Sequence, residues 1–295
     1  MNREYSKETA HRLAGLSRLS YADGAEIRAK AGLLLNAPLI DWGFFDHRDT
    51  QAFIVVSEKF AVVVFRGTEC RKDVVANIAC DLVEVAHGRV HRGFSKALDE
   101  VWGEVVAFIK GRLDGQSIIF ADHSLGAALA TLAAYRLETT QALGRSALPF
   151  EALYTFGSPR VGDKAFADYC NTAFGQQSYR HVNNNDIVCR VPLRAMQYRH
   201  IGQLKYFDAQ GRLYEKLSSW QRLQFWAAGL RADLFKPGLD GIKDHGIENY
   251  ERCLSQFTGP NSWYASTERN LVALGRALDM DFDPIRGTFK KKLKG

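Results

Sequence analysis

Hydrophobic positions along the chain alternate between short apolar runs and longer segments in which apolar residues recur every three or four positions. Five runs rich in β-branched and aromatic residues predict buried strands, at residues 52–56, 60–65, 116–121, 151–156 and 179–182. Helical spacing predicts crossover helices over 94–113 and 125–137 and flanking helices over 7–21 and 265–281. Because strands alternate with helices, we expect an α/β fold with a mostly parallel central sheet flanked by helices.

Such a sheet places its functional residues beyond the C-terminal ends of its strands. The chain has 295 residues, 46% of them hydrophobic and 12% aromatic, which is enough for one large core, so residues 1–295 are predicted to form a single domain.

The sequence contains no apolar run of about 18 residues and begins with a polar segment. With no visible membrane span or secretory signal, a cytoplasmic location is the default expectation.

Charge and cysteine content exclude several classes of function. The net charge of +6 is dispersed except in the tail at residues 289–295, and no phosphate-binding loop, aromatic RNA-binding motif or zinc spacing accompanies it. Nucleic acid is therefore not an expected partner. The five cysteines are odd in number and lack metal-ligand spacing, which favours reduced thiols over a disulfide framework.

The most informative segment is FADHSLGAALA, residues 120–130, where an apolar strand pattern ends at a serine and a helical pattern of small residues begins. In hydrolases with this layout the strand turns sharply into a helix, which exposes the serine oxygen and points the helix N-terminus at developing negative charge. Ser124 is therefore the candidate nucleophile. The backbone N–H of Leu125 is a candidate oxyanion-hole donor.

Asp122 departs from the usual G-x-S-x-G pattern, because it occupies the place of the first glycine while Gly126 holds the second. Strand and helix backbones crowd together there, and a buried carboxylate costs several kcal/mol unless it is paired or protonated. Three interpretations are open: a tolerated substitution, an inactivating one, or a specialised tuning of the site. The steric argument predicts that Asp122→Gly preserves or raises esterase rate and thermal stability.

A second oxyanion donor is expected where the 60–65 strand ends in the sequence Arg66-Gly67-Thr68. Gly67 permits a tight turn, and Thr68 offers both an amide and a hydroxyl donor. Without the serine segment, the same three residues would be read as an ordinary turn.

The candidate acid is Asp186, which lies in the polar loop after the 179–182 strand. A carboxylate there would accept the imidazole N–H of a base, fix its tautomer and stabilise the imidazolium. The neighbouring asparagines allow a plain turn as the other interpretation. Asp163 and Asp168 are alternative acids, with Asp163 ranked lower because its position before a helical pattern is typical of an N-cap.

The candidate base is chosen from eight histidines by chain order, since this class of hydrolase runs nucleophile, acid, then histidine. His200 and His245 follow Asp186. His200 lies in an extended-looking run, where a packed strand histidine is expected, whereas His245 lies in a loop-like segment before a helical pattern. His245 is therefore the candidate base, and His123 and His181 are expected to be structural.

These segments together resemble the class 3 lipase family, the fungal-type triacylglycerol lipases of the α/β-hydrolase fold. The resemblance spans roughly residues 50 to 255 through FRGTECRKDVVANIACDL, VHRGFSKALDEVW, HSLGAALATLAA, TFGSPRVGDKAFADY, HVNNNDIVCRVP, YRHIG and KDHGIENY, in the order of that family. It implies Ser124 as nucleophile, Asp186 as acid, His245 as base, and Thr68 with Leu125 as the oxyanion hole.

The implied activity is that of a serine carboxylester hydrolase, a lipase or esterase that cleaves acylglycerols or other carboxylic esters through an acyl-enzyme. The resemblance implies no cofactor and no metal, a lipid or other ester as substrate at an oil-water or membrane interface, and secretion as an alternative location. A phospholipase of the same fold and a catalytically silent hydrolase-like binding protein, suggested by Asp122, are the alternatives. Oligomeric state is not predicted.

Two segments are candidates for controlling access to the site. Residues 72–86 follow the oxyanion turn, and the resemblance suggests a lid there, whereas a fixed amphipathic helix is the other interpretation. Residues 218–235 carry a broad apolar stripe within a predicted cap insertion over 207–240. This stripe would either meet a lipid interface or pack on the hydrolase core.

Overall fold

An eight-stranded sheet organises the molecule in a computed structural model that describes residues 5–67, 81–139, 150–215, 243–255, 280–283 and 288–291. The strands of this sheet are β1 (Asp41–His47), β2 (Thr50–Val56), β3 (Phe60–Phe65), β6 (Ser117–His123), β7 (Phe150–Phe156), β8 (Ser178–Asn183), β9 (Gln203–Phe207) and β10 (Leu213–Tyr214). Across the sheet their order is β1-β2-β3-β6-β7-β8-β9-β10.

The centre of the sheet is parallel and its edges are antiparallel. Strands β3, β6, β7, β8 and β9 pair in parallel, while β1 and β2 join through antiparallel pairing and β10 folds back on β9. All parallel strands therefore end at one edge, and the elbow after β6 and the loops after β7 and β8 meet there. The mostly parallel sheet predicted from the sequence is confirmed.

Helices cover both faces of the sheet. The helices are α1 (Lys7–Leu19), α2 (Gly24–Leu35), α3 (Arg92–Arg112), α4 (Leu125–Thr139), α5 (Lys164–Phe174) and α6 (Ile247–Ser255). One core packs α3, α4 and α5 against one face, and a second core packs α1, α2 and α6 against the other. Alternate residues of the central strands enter the two cores, which is why these strands appear in the sequence as continuous apolar runs.

Local sequence explains where the helices begin. Ser6, Asp23 and Asp163 are N-caps whose side chains accept the backbone N–H of the residue three positions later. Helix α3 buries Phe94, Leu98, Val101, Val105 and Ile109. The first four belong to the stripe predicted from the spacing, whereas the last two residues of that stripe, Phe108 and Leu113, are only partly buried.

The five predicted strands and the predicted helices at 7–21, 94–113 and 125–137 are confirmed with small shifts of their ends. The C-terminal prediction is different, because residues 280–283 form strand β11, paired with β12 (Thr288–Lys291), instead of the end of a helix. Residues 265–279 of that prediction lie outside the described residues. The structure also adds β1 and β10 to the sheet, which the apolar runs did not indicate, and β9 forms within the extended-looking run that contains His200.

Both predicted access segments fall largely outside the described residues. Of the 72–86 segment, residues 72–80 are not described, and Leu82–Val85 form strand β4, which pairs with β5 (Gly88–His91) in a hairpin. The helical interpretation therefore does not hold for these last residues. The apolar stripe at 218–235 is not described, and the cap prediction over 207–240 is visible only up to residue 215.

Cys170, Cys189 and Cys253 are buried free thiols. In the described part of the chain, no helix combines the length and the apolar character needed to span a bilayer.

Candidate active site

Ser124 lies at the turn between β6 and α4, in a backbone conformation that non-glycine residues rarely adopt. Its φ angle is 59°, and its N–H donates to the carbonyl of Phe156 at 3.0 Å. Gly126 accommodates the turn, because a Cβ atom there would lie 2.5 Å from a carboxyl oxygen of Asp122. The strained elbow predicted from residues 120–130 is therefore present.

Ser124, His245 and Asp186 lie side by side in one buried chain of hydrogen bonds. Ser124 Oγ and His245 Nε2 are 2.7 Å apart, and His245 Nδ1 is 3.0 and 2.9 Å from the two carboxyl oxygens of Asp186. Ser124 lies in the elbow, Asp186 in the loop after β8, and His245 in the turn before α6. Nδ1–H donating to the carboxylate leaves Nε2 able to accept the serine proton.

Asp186 is held as an anion by several donors. Its oxygens accept the N–H of Val188 at 2.9 Å and the hydroxyl of Tyr250 at 2.6 Å in addition to the imidazole. Burial alone would raise the pKa of Asp186, but the charge of His245 and the hydrogen bonds from His245 and Tyr250 outweigh it and hold the pKa below its usual range. Tyr250 was not singled out from the sequence, although it lies in the helical pattern five residues after His245.

His123 fixes the main chain of the candidate base. Its Nε2–H donates to the carbonyl of His245 at 2.6 Å, which leaves Nδ1 to accept the Tyr21 hydroxyl at 3.1 Å. His123 therefore has the structural place expected for it, yet it links the nucleophile's own strand to His245. The sequence around Tyr21 did not indicate that the turn after α1 reaches this site.

Gly157 leaves room for the imidazole and the carboxylate. It follows β7 with a φ angle of 63°, and a Cβ atom there would lie 2.8 Å from His245 Nδ1 and 2.9 Å from Asp186 Oδ2. Glycine is required both for its conformation and for this close approach.

Asp122 is fully buried on β6, and its carboxyl accepts two backbone donors. Oδ1 accepts the N–H of His123 at 2.8 Å, and Oδ2 accepts the N–H of Phe65 at the end of β3. Burial raises the pKa of Asp122 well above its usual range, although these two hydrogen bonds lower it. Burial thus favours the protonated carboxyl, which joins β3 to β6 beyond their last ladder pair, Val63 and Phe120.

Of the two candidate oxyanion donors, the structure describes Leu125. It is the first residue of α4, and a helix leaves its first-turn N–H groups without acceptors within the helix. Thr68 lies outside the described residues. The chain leading to it passes close to the elbow, since a Cβ atom at Gly67 would lie 3.1 Å from the His123 carbonyl oxygen.

The alternative residues have other partners. Asp163 caps α5 and pairs with Arg89, and Asp168 pairs with Lys164 one helical turn away. His200 contacts the Cys189 carbonyl at 2.8 Å, and burial lowers its pKa well below the usual range.

The side chain of His181 also has partners outside the hydrogen-bonded path of Ser124, His245 and Asp186. It lies between the Tyr5 hydroxyl and the Thr155 carbonyl, and burial lowers its pKa to about 3. A neutral, packed histidine is what the sequence analysis expected there.

Comparisons with known proteins find lipases. The family model described as Lipase (class 3) matches residues 62–196. The lipase of Rhizomucor miehei is 35% identical over 164 residues, which cover 52% of this chain and 44% of that protein. Secreted mono- and diacylglycerol lipase 1 of Fusarium solani is 34% identical over 164 residues, covering 52% of this chain and 45% of the relative.

Structural similarity extends further along the chain. The structure of Rhizomucor miehei triacylglyceride lipase superimposes with a TM-score of 0.61 and 25% sequence identity, covering 80% of this chain and 91% of that one. The sheet order and the flanking helices are those of the α/β-hydrolase fold. By sequence alone, however, the chain spans less than half the length of the two curated relatives described above.

The environment of Asp122 reverses the expectation for Asp122→Gly. Removing the carboxyl leaves the buried N–H groups of Phe65 and His123 without their acceptor, so the free energy of unfolding should fall by about 1–3 kcal/mol. Urea unfolding measures the change. Asp46→Gly, on the exposed part of β1, is the matched control for the cost of glycine in a strand. Equal losses in the two variants would contradict the bonding role of the carboxyl.

Asp122 also predicts a pH dependence of stability. The unfolded carboxyl titrates near pH 4, whereas the folded one keeps its proton to higher pH, so the folded state binds more protons in between. The free energy of unfolding of the parent should therefore fall relative to that of Asp122→Asn by about 1.4 kcal/mol per pH unit above about pH 4, until the folded pKa is reached. Urea unfolding of both chains at a series of pH values tests this. A constant difference would show that the folded pKa is not raised.

Gly157→Ala should displace the imidazole or the carboxylate, because its Cβ atom would overlap both. We expect kcat for a soluble ester to fall by about 100-fold or more, since catalysis is sensitive to shifts of about 1 Å. Gly115→Ala is the matched control: Gly115 also has a positive φ angle, 83°, but a Cβ atom there meets no heavy atom within 4 Å. Similar losses in both variants would assign the effect to backbone strain.

Proposed function

We propose that this chain, which belongs to the class 3 lipase family, is a serine carboxylester hydrolase that cleaves lipid esters through an acyl-enzyme on Ser124. The observation that carries the proposal is the continuous hydrogen-bonded path from Ser124 Oγ through His245 to Asp186, with a distance of 2.7 Å at its first step. Nucleophile, base and acid have the geometry that acyl transfer requires.

In the first half of the proposed reaction, Ser124 Oγ attacks the carbonyl carbon of the ester while His245 Nε2 takes the hydroxyl proton. The imidazolium then gives this proton to the oxygen of the departing alcohol, and the acyl group stays on the serine. Asp186 stabilises the imidazolium, since its lowered pKa keeps it ionised. Proton transfer of this kind contributes typically 10²- to 10⁴-fold to the rate.

In the second half, water replaces the alcohol. His245 Nε2 takes a proton from the water as its oxygen attacks the acyl carbon, and the proton returns to Ser124 Oγ when the acid leaves. In both halves the carbonyl oxygen becomes negative, and we assign its stabilisation to the N–H of Leu125 and to Thr68. Loss of one such donor typically costs about 3–4 kcal/mol of transition-state stabilisation.

Asp122 bears on the rival possibility of a silent binding protein. An anion beside the imidazole would favour imidazolium in the resting enzyme and would leave less free base for the attack. Burial instead favours the neutral carboxyl, and both of its oxygens accept main-chain N–H groups. The departure from the glycine pattern is therefore compatible with a functional base.

Substrate class and location are also proposals, because the sequence relatives are matched over less than half of their length. Their names, lipase and secreted mono- and diacylglycerol lipase, favour acylglycerols as substrates. The second name also favours secretion, and the cytoplasmic default has no support among these relatives. The lid predicted over 72–86 and the cap predicted over 207–240 remain predictions where the residues are not described, at 72–80 and 216–240.

Hydrolysis of p-nitrophenyl esters of increasing acyl length tests the proposal. We expect turnover by the parent chain and a loss of at least 1,000-fold in Ser124→Ala, on the order of the losses seen when a triad member is removed. Ser17→Ala, a buried serine of α1 that bonds to the Leu13 carbonyl, is the matched control and should retain activity. A folded parent chain without turnover, or turnover that survives Ser124→Ala, would refute the proposal.

A further inference from the structure

The β8–β9 connection carries an unusual surface a few residues beyond Asp186. We call residues 190–199, together with Arg160, the arginine turn. Residues 193–197, with the sequence LRAMQ, are all exposed and include a short 3-10 turn at Arg194–Met196. This surface has two properties that are seldom combined on a plain solvent-facing loop, and the proposed catalytic chemistry uses neither.

The first property is exposed apolar area. Leu193 is 50% exposed and Met196 is 44% exposed, and they lie three residues apart on the same turn. Among the described residues, the other large hydrophobic side chains with comparable exposure are Leu33 on α2 and Ile40 just before β1. Scattered single residues of this kind need no explanation, but two on one protruding turn form a local apolar tip.

The second property is positive charge without acidic partners. Residues 187–207 contain Arg190, Arg194, Arg199 and Lys205 and no aspartate or glutamate. Within the described part of the chain, Arg160, Arg190, Arg194 and Arg199 form no ion pair with a carboxylate. Burial lowers the pKa of Arg160 to about 10, and the neighbouring charges of Arg180, Arg194 and Arg199 add to this effect.

Neutral acceptors hold the guanidinium groups in place. Arg160 Nη1 donates to the carbonyls of Arg190 and Pro192, the latter at 2.7 Å. Arg199 Nη1 donates to the carbonyls of Arg194 at 3.0 Å and Tyr198 at 2.8 Å. These bonds order the turn but do not cancel its charge, so the charge remains available to an external anion.

The turn is also attached to the rest of the fold. Gly162 forms isolated bridges to Arg199 and to Val90 of the β4–β5 hairpin, and Arg89 donates to the side chain of Gln197. Arg89 itself is compensated by Asp163 at 3.1 Å. The exposed tip is therefore presented on a fixed base, and little ordering is needed when it meets a partner.

We propose that the arginine turn is a docking surface for lipid surfaces that carry anionic headgroups, with Leu193 and Met196 entering the apolar layer and the arginines contacting phosphate groups. Guanidinium groups match phosphate oxygens in paired geometry, and apolar side chains among basic ones are typical of interfacial binding. This function goes beyond ester hydrolysis, because it requires no chemistry at Ser124. Since the same connection carries Asp186, docking would bring a lipid surface to the segment that also supplies the acid.

Vesicle co-sedimentation of the 295-residue chain carrying Ser124→Ala tests the proposal without consuming the lipid. We expect stronger binding to phosphatidylcholine vesicles that contain phosphatidylglycerol than to phosphatidylcholine alone, with binding weakened by added salt. Arg194→Gln should lower the partition coefficient on anionic vesicles by about fivefold, the effect of one basic residue near such a surface. Leu193→Ser combined with Met196→Ser should also lower it.

Matched controls lie elsewhere on the surface. Lys110→Gln removes an exposed charge near the end of α3, and Leu33→Ser removes an apolar side chain that is 82% exposed on α2. Losses equal to those of the turn variants would overturn the proposal, as would equal binding to both vesicle types. Binding that inorganic phosphate abolishes at constant ionic strength, with no effect of the Leu193 and Met196 changes, would overturn it in favour of a small-anion site. Hydrolysis of a soluble ester by the parent chain, which retains Ser124, tests the proposed activity separately.

Discussion

The close backbone junction at Ser124 is the constraint on which the rest of the site depends. Where β6 turns at once into α4, the residue at the turn, Ser124, is held at a positive φ angle. The neighbouring positions must then tolerate close contact between β3, β6 and α4. Gly126 satisfies this requirement by having no side chain, and Asp122 satisfies it by forming hydrogen bonds. The junction then places the serine oxygen at the edge of the sheet, where the loops after β7 and β8 also end.

Asp122 shows that a motif position has more than one physical solution. The usual glycine leaves space, whereas the carboxyl fills that space and bonds to main-chain donors on two strands. A charged group would be costly there, but a carboxylic acid is a compact polar group that can remain neutral when buried. The same residue thus secures the strand that leads toward Thr68 to the strand that carries Ser124.

Sequence alone predicted most of the central sheet and brought forward the three residues that the structure joins, because buried parallel strands leave continuous apolar runs and chain order restricts the base. It did not find Tyr250, Tyr21 or Gly157, since their places depend on contacts between segments far apart in the chain. Strand β10 was missed because it is only two residues long and lies at the edge of the sheet, where it has a single neighbour. The donors that Asp122 meets on β3 could not be predicted, because a partner from another strand leaves no signal in the local sequence.

The hydrogen bond from His123 to the main chain of His245 couples the candidate base to the sheet. The His245 carbonyl accepts this bond from the residue beside the nucleophile. Asp244, directly before the base, accepts hydrogen bonds at its carbonyl from Asn183, the last residue of β8, and at its carboxyl from Asn184. Among the described residues, the base is thus held by the strand that leads to the nucleophile and by the strand that leads to the acid, so a shift of either strand would carry the base with it.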